Sequence, residues 1–203
     1  MRKLSQLMGI LLVTSFLSGC FIQSFQPFYT DDLVLDIPAI EGKWSLVKKG
    51  KEDVADNYPQ PWEFTDDAIT TFEHNVSSIL EATYFKVADV TFLDLAPSEP
   101  DEDKGPNEWW TIHTVPVHSV CKVDLSTNAL SLTPLNGEWV EEMLEEKKIS
   151  LSYISVGSDD DQIVLTSSAK ELVVFLKQYG SNTNAFPVGV SHHFKRPKDT
   201  KTE

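Results

Sequence analysis

The chain has 203 residues, 31 of them acidic and 17 basic, for a net charge of −14. That balance argues against a nucleic-acid partner and against adhesion to anionic lipid head groups, since both reward basic surface. Hydrophobic residues make up 41% of the chain, enough for a real core in one domain, whereas two cysteines are too few for a disulfide framework or a paired-cysteine metal site.

Arg2 and Lys3 precede an apolar run over residues 7–17, and beyond Cys20 the composition turns acidic. This is the pattern of a secretion signal with a cleavage site. The run is about half the 20 apolar residues that a membrane-spanning helix needs, and Gly9, Thr14 and Ser15 interrupt it, so a transmembrane segment is not expected. Leu17-Ser18-Gly19-Cys20 resembles the lipobox of bacterial lipoproteins. The resemblance implies a signal peptide over residues 1–19 and a covalent lipid on Cys20, which becomes the new N-terminus and the anchor to the membrane. Without a lipid, Cys20 would be an exposed thiol beside Phe21 in an oxidising compartment, with no evident purpose. In that family an acidic residue after the cysteine favours retention at the inner membrane. Phe21 stands there instead, so the expected location is the outer membrane, facing the periplasm. Loss of residues 1–19 removes Arg2, Lys3 and no acid, which takes the net charge to −16.

Residues 20–41 contain two prolines, scattered aromatics and no sustained period. They read as a tether that packs onto the domain near its end, around residues 33–40. Fully extended, such a tether reaches about 70 Å, and as a flexible coil about 25 Å. The folded domain is expected over residues 42–197, with a polar tail over 198–203.

Trp44 and Leu46 share one face of a first strand over 43–47, followed by a basic loop at 48–51. Short runs rich in β-branched and aromatic residues at 62–64, 68–72, 79–87 and 90–95 read as antiparallel strands, the last two as a hairpin. Residues 97–108 combine three prolines with five acids and must form an exposed loop. A period-2 stretch over 111–125 puts Val115, Val117, Ser119, Cys121, Val123 and Leu125 on one face and His118, Lys122 and Asp124 on the other. Leu130 and Leu132 lie on its hairpin partner. Asn136 can cap a helix over 137–148, and Ser168 with Glu171 forms a capping box before a second helix ended by Gly180. Between the helices, residues 149–154 and 162–166 read as a hairpin, and a strand over 190–196 ends the fold.

Gly42-x-Trp44 thus opens the first strand and Arg196 closes the last. This bracket resembles the lipocalin or calycin barrels, in which the Trp plugs the barrel floor under an arginine from the closing strand. A guanidinium over an indole face gains about 0.5 to 2 kcal/mol when partly desolvated. The resemblance implies a mainly β fold, an antiparallel calycin-like meander β-barrel, here with two helices in the second half where a typical lipocalin has one. The chain also resembles a group of uncharacterised bacterial lipoproteins, through Phe92-Leu93-Asp94-Leu95, the segment around His118, and Leu135 to Trp139. No activity is established for that group.

Catalytic chemistry finds no foothold. His113 has the strand parity of Cys121 but lies about 26 Å away along a straight strand, and His118 faces the other side. A dyad built on His74 or His192 cannot be argued from sequence. His192 and His193 are adjacent and point to opposite faces, and Asp159 to Asp161 lack the alternation of a calcium loop. Asp94, in an apolar strand, is the one acid to watch, the alternatives being a hydrogen bond to a loop backbone or an outward position. Phosphate-cradling glycine loops, Gly-x-Ser-x-Gly and dinucleotide fingerprints are absent. The expectation is therefore a protein that is not an enzyme, with no metal and no cofactor. Its first reading is a barrel holding a small apolar ligand, with Leu46, Val117, Cys121, Leu130, Leu132, Leu151 and Tyr153 as candidate lining. The alternative is an accessory or scaffold lipoprotein docking on another envelope protein, with Trp109-Trp110 as the aromatic patch.

Overall fold

Period-2 alternation in strands that lie edge to edge gives one apolar face to bury, and closing the sheet into a barrel buries it. The computed structural model describes residues 22–47, 61–73, 76–98, 114–157 and 162–197. Residues 1–19, Cys20, the loops at 48–51 and 99–108, His74, Trp109-Trp110, the strand start at 111–113, Asp159 to Asp161 and the tail over 198–203 lie outside the described residues. The strands are β1 (Gln23–Ser24), β2 (Gly42–Val47), β3 (Trp62–Phe64), β4 (Ala68–Glu73), β5 (Val76–Val87), β6 (Val90–Pro97), β7 (Ser119–Leu125), β8 (Ala129–Pro134), β9 (Tyr153–Val156), β10 (Gln162–Leu165) and β11 (His192–Lys195). Helix α1 is Gly137–Glu145 and α2 is Ala169–Tyr179.

Seven consecutive strands, β2 to β8, form an antiparallel meander, and β11 closes it by pairing with β8 on one side and β2 on the other. The result is the calycin-like closed barrel of eight antiparallel strands, which has no free edge. A separate sheet of order β1-β10-β9 lies outside it, with β1 and β10 parallel. Trp44, Phe64, Tyr84, Leu93, Leu130 and Phe194 belong to the interior core. Phe85 and Phe92, one residue out of phase with Tyr84 and Leu93, enter a second core with Leu172, Phe175 and Leu176 of α2. Strands β5 and β6 are thus covered on both faces where helices pack, which is why their sequences run apolar without clean alternation.

Several sequence-derived bounds shift for local reasons. Strand β7 begins at Ser119, and Pro116, which has no N–H to give a ladder, sits in the irregular stretch over 114–117 before it. Helix α1 stops at Glu145, because Lys147 takes a positive φ of 54° and the Lys148 N–H turns back to the Met143 carbonyl at 2.9 Å. The 149–154 strand reduces to β9, beginning at Tyr153. The final strand is likewise shorter, with a 3-10 turn over Val188–Val190 ahead of β11. The capping box before α2 has both of its bonds. Gly180 ends α2 with an ordinary φ of −60°, and what its missing Cβ provides is room: a Cβ there would come 2.6 Å from Phe92 Cζ.

The largest departure concerns the stretch read as a tether. Packing is already present at Ile22, well before residue 33: Ile22 is 3% exposed and Phe28 is fully buried. Apolar residues without period gave no strand signal, yet Ile22 and Phe28 enter the core that β5, β6 and the helices share.

Candidate functional site

Residues expected at the barrel floor meet there. Gly42 has a φ of 105°, a conformation that favours glycine, and an added Cβ would stand 2.9 Å from Arg196 Nη1. Trp44 is fully buried, and its indole Nε1 donates to the Ile40 carbonyl at 2.5 Å. Arg196 places Cζ 4.0 Å from the centroid of the Trp44 ring. Its Nη1 donates to the Glu41 carbonyl at 2.7 Å and its Nη2 to the Ala39 carbonyl at 2.8 Å. The guanidinium therefore ties three things together: the indole face, the closing strand and the segment that leads into β2.

Above this floor the interior is filled by aromatic rings. Phe194 packs 5.1 Å from the ring of Trp62 and 5.7 Å from that of Phe64. Leu46, Cys121 and Leu132 also belong to this interior and serve as core. Burial raises the Cys121 thiol to about 12, and the Asp94 charge adds to the effect, so at neutral pH the thiol is an inert neutral group. Tyr84 is buried with its hydroxyl unpartnered, and burial together with Glu41 pushes its pKa upward.

Space for a ligand is bordered by interior core residues, Val123, Leu130 and Phe194 among them, as well as by outward-facing ones. A hollow of about 820 Å³ follows β7, β8 and β11, with Ile37, Val123, Leu125, Leu130 and Phe194 among its apolar lining and Asp124, Ser131 and Lys195 among its polar lining. Of the candidate lining residues read from sequence, Leu130 borders it. Three others fall outside the barrel. Val117 is half-buried in the irregular stretch before β7. Leu151 borders a smaller hollow of about 460 Å³ along α2 and packs on the second core, and Tyr153 is 45% exposed on β9. The reason is topological: β9 pairs with β10 in the outer sheet, and period 2 alone cannot tell which sheet a strand joins.

A polar cluster links the N-terminal segment to the barrel. Asp94 is only 3% exposed although it points away from the interior, because the chain from Ile22 to Phe28 covers it. Its Oδ1 lies 2.6 Å from His118 Nδ1, and its Oδ2 accepts from the Phe28 N–H at 2.9 Å. Ser24 and His118 exchange backbone hydrogen bonds of 3.0 and 2.8 Å. Both carboxylate oxygens are thus engaged in holding the segment down. Sequence singled out Asp94, but its partner Phe28 lies 66 residues away and carries no local signal. Among the described residues, no group of three His, Cys, Asp or Glu side chains is placed to hold a metal ion. Compared with protein-family models, with curated proteins and with solved structures, the chain finds no match in any of the three.

Proposed function

We propose that this chain is a lipoprotein of the bacterial envelope, anchored through a lipid on Cys20 to the outer membrane and facing the periplasm, whose calycin-like barrel takes up a small apolar ligand. The observation that carries the ligand reading is the hollow of about 820 Å³, which has the size of a small-molecule site and a mainly hydrophobic lining with a few polar groups at its rim. The lipobox-like Leu17-Ser18-Gly19-Cys20 supports the anchor.

Native mass spectrometry of the delipidated domain, purified from its own host, tests this. A small molecule should be retained by the native chain and lost in Ala129→Trp, which fills the hollow from an exposed position and replaces none of the interior core residues. A chain that retains nothing, or an Ala129→Trp variant that retains the same molecule, contradicts the reading. Retention of a protein in place of a small molecule would favour the scaffold alternative.

A further inference from the structure

Cys20 stands two residues before Ile22, and Ile22 is already fixed in the fold. We propose that residues 22–28 act as an orienting clamp, which holds the edge made by β1, β10 and β9 against the bilayer surface and turns the β2–β3 wall away from it. The inference rests on the anchorage at Cys20 proposed above.

The clamp is built from bonds already described, together with strand pairing. Gln23 and Ser24 pair in register with Val164 and Leu165, and Gln162 Nε2 donates to Gln23 Oε1 at 3.0 Å. The Phe28 N–H and the Ser24–His118 bridge fasten the same segment to β6 and to the residue before β7. Two peptide steps reach at most about 7 Å, against about 70 Å for a free tether beginning at the same cysteine. A lipid on Cys20 would therefore keep Ile22, and β1 just after it, close to the bilayer surface. Strands lie about 4.8 Å apart, so β9, the second neighbour of β1, sits about 10 Å from the anchored strand. Ser155 on β9 is exposed and pairs with Ile163, which is level with Ile22 across β10. The opposite wall follows from the strand order. The segment is bonded to β6 through Asp94 and to His118 just before β7, and halfway round the closed barrel from β6 and β7 come β2 and β3. Lys43 is exposed there.

The test uses the full lipidated chain in vesicles whose head groups carry a nitroxide quencher, with a fluorophore on Ser155→Cys or on Lys43→Cys. Buried Cys121 remains unlabelled. The Ser155→Cys label should be quenched at least about three-fold more than the Lys43→Cys label. Inserting about 12 Gly/Ser residues between Phe21 and Ile22 gives a flexible coil and should remove the difference. Equal quenching in a chain that floats with the vesicles overturns the clamp and leaves the anchor standing, and so does a difference that survives the insertion. A native chain that fails to float with the vesicles overturns the anchorage itself.

Discussion

Gly42 and Arg196 are mutually dependent at the level of single atoms. A side chain at position 42 meets both a positive φ and the guanidinium 2.9 Å away, and the guanidinium cannot yield without losing its bonds to Glu41 and Ala39. Gly42→Ala should therefore cost on the order of 1 kcal/mol or more, read as a lower urea midpoint with an unchanged slope. Cys121 gives a pH signature of its own. The fold keeps the thiol neutral up to about 12, while the unfolded chain ionises from about pH 9. Its contribution is thus fully present below pH 9 and is lost as pH rises toward 12. Relative to Cys121→Val, the native chain should lose stability more steeply across that window in denaturant titrations, and its thiol should resist alkylation at pH 8 until denaturant is added.

At the scale of elements, the N-terminal segment depends on one carboxylate. Asp94→Ala removes the acceptor of the Phe28 N–H and the partner of His118 and leaves a buried donor unsatisfied, a loss of about 1 to 3 kcal/mol. Amides over residues 22–28 should exchange faster in that variant while the barrel strands keep their protection. A uniform rise in exchange would instead make Asp94 part of the barrel's own stability. The same elements show what the sequence could disclose. Alternation placed Leu130, Leu132 and Cys121 on inward faces, and the ends of the first and last strands pointed to Trp44 and Arg196, because both signals are local. Strand β1 has two residues and a parallel partner 141 positions later, so nothing local announces it. Leu151 and Tyr153 are expected from sequence to line the barrel as part of a hairpin over 149–154 and 162–166; β9 and β10 do pair, but in the separate sheet with β1, and hairpin pairing alone does not tell which sheet the hairpin joins.

For the whole molecule, the proposed lipid on Cys20 would lie two residues before Ile22, which is buried in the core shared by the barrel and the helices. An acidic chain of net charge −14, or −16 if the proposed signal is removed, has no electrostatic attraction to an anionic bilayer, so in the proposed reading membrane residence would depend on the lipid. The most direct measurement is membrane fractionation of the Cys20→Ser chain after signal cleavage, together with its circular dichroism spectrum. The account predicts a soluble protein with the β-rich spectrum of the native domain. A Cys20→Ser protein that remains with the membrane after cleavage would contradict it.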